Sequence, residues 1–142
     1  MKFVNFRLST AFSLYFRIAN QIDADVQVIY ENEHICCILD IAPFNEGHVL
    51  ILPKRHYHDL EEMDDITLKA IMDAAVLISK KIKLVFQPDG ITICQNGGIF
   101  NDLTHFHMHV IPRYKNDGFR WSDPVINHKA ETRLSETREK LV

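Results

Sequence analysis

The sequence predicts an α+β fold: an antiparallel sheet of about five strands with one long helix packed on it. Two observations support this class. Five short segments, residues 25–30, 34–41, 48–52, 90–95 and 104–111, have the alternating or continuous apolar patterns of strands. Between the third and the fourth, apolar residues recur three or four positions apart, as in a helix with one buried face. Strands interrupted by a single long helix favour a mainly antiparallel sheet.

Local signals set the bounds of these elements. A polar turn at 31–33 separates the first two strands, and Pro53 ends the third. The helix is predicted at Asp65–Phe86, with Asp64 or Asp65 as its N-terminal cap. Its apolar stripe consists of Leu68, Ile71, Met72, Ala75, Ile78 and Ile82.

The second half of the chain is divided by turn residues. A turn at 87–90 leads into the fourth strand, and Asn96-Gly97-Gly98 opens a loop after it. Pro112 closes the fifth strand, and a final helix is predicted at Leu134–Leu141.

Length and composition indicate one domain of 142 residues, and the pattern weakens after Gly118, in a C-terminal extension at 118–142. The formal net charge is −3 with both signs mixed, unlike the basic stripe of a nucleic-acid-binding protein. No stretch has the roughly 20 apolar residues that cross a membrane. Arg7 and Arg17 interrupt the N-terminal segment, which we interpret as part of the fold and not as a secretion signal.

The three cysteines, Cys36, Cys37 and Cys94, lie in apolar, strand-like runs. Their odd number and the adjacency of two of them are typical of reduced, buried thiols. We therefore expect a cytoplasmic protein without disulfide bonds.

The segment 105–111, HFHMHVI, carries the strongest chemical signal. On a strand, this alternation places His105, His107 and His109 on one face and their apolar neighbours on the other. A solvated polar face is the plain alternative, but three alternating histidines rarely arise by chance. Two functions then remain open: the imidazoles bind a metal ion, or one imidazole attacks a phosphorus atom while the others assist it.

Flanking motifs choose between these functions. The segment 38–56 reads ILDIAPFNEGHVLILPKRH, residues 95–98 read QNGG, and residues 105–113 read HFHMHVIPR. In this order and spacing, from about Phe16 to Arg113, the chain resembles the histidine triad (HIT) superfamily of nucleotide hydrolases and transferases. The resemblance implies a HIT-like fold, a homodimer, a purine nucleotide-like substrate and no cofactor.

The resemblance also implies roles for individual residues. His107 would attack the α-phosphorus and carry a nucleotidyl intermediate, and His109 would contact the phosphate. His105 and His48 would orient the catalytic ring and support the pocket. The substrate implied by the resemblance is a nucleoside phosphoramidate or a dinucleoside polyphosphate, and the sequence does not choose between them.

Substrate contacts are implied for a second group of residues. Asp40 would accept hydrogen bonds from the ribose hydroxyls, Ile41 would line the base pocket, and Asn96 would contact ribose or phosphate. Without the resemblance, Asp40 and Asn96 would be interpreted as turn residues and Ile41 as a core residue. Gly98, with its neighbour Gly97, permits either a close approach of the backbone to a phosphate or an ordinary hairpin turn.

The chain departs from the family pattern in two places. Many relatives use a Cys-x-x-Cys near the N-terminus to bind a structural zinc ion, and Ser13 and Phe16 stand at the matching positions, so we predict no metal. The loop before the triad is about two residues shorter than in the family, and residues 100–104, FNDLT, replace a segment whose amide or hydroxyl groups contact the phosphates or the leaving group. Asn101 can take an amide role, whereas Asp102 either faces an amine or cationic leaving group, hydrogen-bonds a triad imidazole, or points to solvent.

Two other functions remain as alternatives to nucleotide hydrolysis. One is a metal-dependent enzyme that uses the histidines as ligands. The other is a nucleotide-binding protein with little catalysis, which the unusual Asp102 makes worth testing.

Overall fold

The computed structural model describes residues 26–142, and it confirms the α+β class. All neighbouring strands of the five-stranded sheet are antiparallel, in the order β1-β2-β3-β5-β4. The strands are β1 (Val28–Glu31), β2 (Ile35–Leu39), β3 (Val49–Pro53), β4 (Gly90–Cys94) and β5 (Met108–Arg113). The expectations for the N-terminal segment, including Ser13 and Phe16, lie outside the described residues.

The helix α1 (Asp65–Phe86) connects β3 to β4 and has the predicted bounds. Asp64 is the cap: its side chain accepts a hydrogen bond from the backbone N–H of Thr67 at 2.8 Å and another from the hydroxyl of Tyr57 at 2.7 Å. These hydrogen bonds lower the pKa of Asp64 to about 2. The cap therefore fixes the start of the helix against the segment that follows β3.

One face of the sheet packs on α1 and forms the main core. Phe106, Met108 and Val110 belong to this core, as the alternation of the triad segment predicts. From the helix, Ile71, Ala74, Ala75, Ile78 and Ile82 are buried, whereas Met72 is about half exposed. The even-numbered residues of segment 105–111 thus pack into the core, and the odd-numbered residues point to the opposite face.

The fifth strand differs from the prediction of 104–111. It begins at Met108 and continues through Pro112 to Arg113. Thr104 has φ 54°, a left-handed conformation that is unfavourable for a β-branched residue and interrupts extended structure. Pro112 is tolerated because the pairing with β3 ends at Val110, so no β3 carbonyl requires its missing N–H.

The C-terminal extension carries the predicted second helix, α2 (Leu134–Leu141), and none of its residues is buried. No helix within residues 26–142 is both long enough and apolar enough to span a bilayer.

Candidate active site

The ring of His107 is aimed by the backbone of its own strand segment. Its Nδ1 lies 3.0 Å from the carbonyl oxygen of His105, and the ring is buried. A carbonyl oxygen can only accept, so Nδ1 carries the hydrogen and Nε2 keeps its lone pair. The neighbouring ring of His109 lies 4.8 Å away between centroids. The lone pair of Nε2 is therefore directed away from this hydrogen bond and is available to a ligand.

A second chain of hydrogen bonds fixes the tautomer of His109. The backbone N–H of Phe44 donates to Nδ1 of His48 at 3.1 Å, so His48 carries its hydrogen on Nε2. That Nε2 lies 2.9 Å from Nδ1 of His109 and donates to it. His109 therefore has its hydrogen on Nε2, where it can donate to an anionic ligand.

Burial keeps these imidazoles neutral. It lowers the pKa of His109 to about 4, with the nearby rings of His107 and His48 adding to the effect. The pKa of His48 is also lowered, first by burial, although the carboxylate of Asp40 acts in the opposite direction. At neutral pH His109 thus acts as a hydrogen-bond donor without a net positive charge.

His105 contributes its backbone and not its ring to the orientation of His107. Its buried ring lies with Nε2 2.9 Å from the carbonyl oxygen of Pro53 and with Nδ1 3.0 Å from Nδ1 of His56. Burial lowers the pKa of His105 to about 4. Nε2 of His56 in turn lies 3.3 Å from Nε2 of the exposed His58. These contacts between imidazole rings hold His105 in place. The carbonyl oxygen of His105 in turn orients the ring of His107.

The two residues implied for nucleoside recognition lie in the loop after β2. Asp40 accepts a hydrogen bond from the backbone N–H of Ala42 through Oδ1 at 2.9 Å, so it does form the local turn that the plainer interpretation requires. Its Oδ2 lies 3.5 Å from Nε2 of His48, the same nitrogen that bonds His109. Ile41 is 86% exposed. Its side chain is accessible to a ligand and takes no part in the core.

The loop after β4 is held by contacts within the protein. The backbone N–H of Gly98 donates to Oδ1 of Asp59 at 2.9 Å, and a side chain at Gly97 would collide with the same oxygen. The Gly98 amide is therefore committed to Asp59 and not directed to a ligand. Asn96 is exposed. Its carbonyl oxygen accepts from the Gln95 side chain at 2.7 Å.

Asn101 and Asp102 occupy the turn before the triad and have different roles. The amide of Asn101 donates to the carbonyl oxygen of His58 at 3.2 Å and accepts from the N–H of Leu103 at 3.1 Å, so it fixes the turn. Asp102 is 77% exposed, and its Oδ1 lies 3.8 Å from Nε2 of His107. This distance is too long for a hydrogen bond, but it places a carboxylate beside Nε2 of His107.

The basic residue at the end of β5 is engaged in a structural network. Arg113 pairs with Asp117 at 2.6 and 2.9 Å and lies 4.1 Å above the ring of Phe119. Asn45 completes the network by donating to Asp117 at 3.0 Å. The Phe119 ring contacts Phe44 edge-on at 5.2 Å. Arg113 thus joins the C-terminal extension to the loop that carries Phe44.

Three residues that contact the histidine cluster, Phe44, His56 and His58, are absent from the predicted site. Phe44 acts through its backbone N–H, which leaves no mark in the sequence. His56 and His58 have the same two-residue spacing as the triad, and this repetition is the signal that could have pointed to them.

Comparisons with known proteins agree with the fold. The family model for the HIT domain matches residues 21–116. The chain belongs to the HIT family. It is 36% identical to the protein hit of Bacillus subtilis over 108 residues, which cover 72% of this chain and 74% of that protein. It is 34% identical to the adenylylsulfatase HINT3 of Arabidopsis thaliana over 102 residues, covering 70% of this chain and 52% of the relative.

Solved structures of HIT proteins have the same architecture. A HIT family protein from Bacillus anthracis superimposes with a TM-score of 0.75 at 29% identity, covering 91% of this chain and 96% of that chain. A histidine triad nucleotide-binding protein from Candida albicans gives a TM-score of 0.70 at 26% identity, with coverage of 89% and 94%.

The N-terminal zinc position that the family resemblance implies lies outside the described residues. A second possible metal position lies within them. Among the described residues, Asp40, His48 and His109 have potential ligand atoms close together. However, Nε2 of His48 carries the hydrogen that bonds His109, so that nitrogen has no lone pair for a metal ion.

Proposed function

We propose that this HIT protein hydrolyses a nucleoside 5′-phosphate derivative through a nucleotidyl intermediate on Nε2 of His107. The observation that carries the proposal is the 3.0 Å hydrogen bond from Nδ1 of His107 to the carbonyl oxygen of His105. This bond leaves the Nε2 lone pair available in a buried ring. The adenylylsulfatase activity named for the Arabidopsis relative supports the same class of chemistry.

The reaction has two steps. The Nε2 lone pair of His107 forms a bond to the α-phosphorus, and the bond from phosphorus to the leaving group breaks. The leaving group departs with that electron pair and, when it is an amine, takes up protons from solvent. Water then attacks the phosphorus and releases a proton, and the electron pair of the phosphorus–nitrogen bond returns to Nε2.

The surrounding residues bind the substrate in this proposal. The Nε2–H of His109 donates to a phosphate oxygen, and His48 maintains that tautomer. The remaining lone pairs of Asp40 accept from the ribose hydroxyls, and the exposed Ile41 covers one face of the base. Asn96 contacts ribose or phosphate from the loop after β4.

We further propose a cytoplasmic homodimer. The free, buried thiols of Cys36 and Cys37 support a reducing compartment. The outer edge of β4 and the exposed apolar residues Met72 and Val76 of α1 support pairing with a second copy of the chain.

The test compares wild type with His107→Ala on adenosine phosphoramidates and diadenosine polyphosphates. We expect wild-type turnover with an acid-labile nucleotidyl adduct, and a loss of at least about 10³-fold in the variant. His128→Ala, which removes an exposed histidine in the C-terminal extension, is the matched control and should behave as wild type. Equal turnover in His107→Ala, or no turnover by wild type on any substrate, would overturn the proposal.

A further inference from the structure

The carboxylate of Asp102 is held beside the nucleophilic atom. Its Oδ1 lies 3.8 Å from Nε2 of His107. Asn101 fixes the turn through its bonds to the His58 carbonyl oxygen and the Leu103 N–H. Thr104 follows in a left-handed conformation, and the chain then enters the triad segment. The position of this carboxylate is therefore set by the turn, although the side chain itself is exposed.

Nearby basic side chains do not neutralise this carboxylate. Within residues 26–142, no lysine or arginine forms an ion pair with Asp102. Arg113 pairs with Asp117, Lys54 with Glu31 at 2.9 Å, and Arg55 lies 3.9 Å from Asp64. The histidines around His107 are held neutral by burial, and Asp40 adds a second carboxylate near His48. Within residues 26–142, the charged groups nearest to Nε2 of His107 are thus carboxylates at neutral pH.

This charge distinguishes substrates by their leaving groups. A phosphorus atom ready for attack lies about 3–3.5 Å from the nucleophile, so Asp102 would be beside the reacting group. The α-phosphate is common to all candidate substrates, and its repulsion cancels in a comparison between them. The leaving group of a dinucleoside polyphosphate is anionic and adds repulsion, whereas an amine gains positive charge as its bond to phosphorus breaks.

We propose that Asp102 is a specificity-determining residue that selects amine leaving groups, above all those with an additional positive charge, over phosphate leaving groups. The inference rests on the proposed function and names its substrate class. When the phosphorus–nitrogen bond breaks, the nitrogen keeps the electron pair and binds two protons from solvent, so it leaves as an ammonium ion. The carboxylate of Asp102 stabilises this developing charge.

The experiment measures kcat/KM for three adenosine 5′-phosphate derivatives. The first is the phosphoramidate of ethylenediamine, with a cationic leaving group. The second is the phosphoramidate of tryptamine, which carries no additional charge, and the third is diadenosine tetraphosphate. Wild type is compared with Asp102→Asn, which keeps the shape of the side chain. Asp123→Asn removes an exposed carboxylate from the C-terminal extension and is the matched control.

We expect Asp102→Asn to lose about 5-fold on the cationic substrate and to gain about 5-fold on the tetraphosphate, as the removal of one solvent-exposed charge predicts. Both changes should shrink at 0.5 M salt, which screens exposed charges. Asp123→Asn should keep the wild-type ratios.

Two results would overturn the inference while leaving the proposed function intact. In one, Asp102→Asn lowers kcat/KM equally on all three substrates, which indicates a structural role. In the other, the ratios stay at their wild-type values. Absence of turnover by wild type on all three substrates would instead overturn the proposed function, and this inference with it.

Discussion

Nε2 of His48 lies 2.9 Å from Nδ1 of His109, and the backbone N–H of Phe44 occupies the other ring nitrogen of His48 at 3.1 Å. These two contacts determine which nitrogen of His109 carries its hydrogen. The Nε2–H of His109 is therefore available as a donor before any ligand binds.

Substitution of His48 should therefore impair catalysis through His109. His48→Ala is expected to lower kcat about 10-fold, because loss of one oriented hydrogen bond allows His109 to adopt either tautomer. Nitrogen NMR of the His109 ring should change from one tautomer to a mixture. His48→Gln, whose amide can donate to Nδ1 of His109, should recover part of the activity. A single, unchanged tautomer in His48→Ala would contradict this assignment.

Stability should fall as the pH is lowered from 6.5 towards 4. The folded-state pKa values of His105 and His109 are about 4, below the unperturbed value of about 6.5. The unfolded chain binds protons in this window and the folded chain does not, so protonation favours unfolding. The stability that these neutral rings provide is complete above pH 6.5 and is lost as the pH falls through 4.

Urea unfolding at pH 7.5 and pH 5.5 measures this effect. Each of the two histidines should lower the free energy of unfolding by about 1.4 kcal/mol at pH 5.5. His109→Gln should remove about 1.4 kcal/mol of the pH dependence, and His128→Ala should leave it unchanged. Equal free energies of unfolding for wild type at the two pH values would show that the rings are not held neutral by the fold.

Phe119 should influence the active site although it contacts no catalytic histidine. Its ring packs against Phe44, whose N–H bonds His48, and lies beneath Arg113. Phe119→Ala is expected to lower the free energy of unfolding by about 1–2 kcal/mol and kcat several-fold, since it removes an aromatic pair and a cation–π contact.

Trp121→Ala provides the matched control for this prediction. Trp121 is 79% exposed and its ring lies 6.0 Å from that of Phe119, so its removal should change the free energy of unfolding by less than about 0.5 kcal/mol. Equal effects of the two substitutions on kcat would reject a specific connection through Phe44.

The fold was predictable where local signals and burial agree. The helix α1 has the expected bounds because its apolar period and its cap indicate the same start. The sequence could not distinguish Asp64 from Asp65 as the cap. The hydroxyl of Tyr57, which bonds Asp64, is a tertiary contact without a local signal. The predicted start of β5, at residue 104, was wrong. Thr104 has a left-handed conformation, and a side-chain pattern does not report backbone dihedral angles.

The site was predictable to the extent that side chains define it. The alternation of residues 105–111 correctly assigned Phe106, Met108 and Val110 to the core. The acceptor for Nδ1 of His107 and the donor to Nδ1 of His48 are both main-chain groups. Every residue type carries such groups, and composition therefore could not locate them.

The carbonyl oxygen that aims His107 has a consequence for how such an enzyme changes during evolution. No point mutation can delete that oxygen, since any amino acid at position 105 supplies it. The proposed selectivity of Asp102, in contrast, depends on its side chain, which a single substitution can change. Substrate preference can thus change through substitution at position 102 while the orientation of the His107 ring is retained.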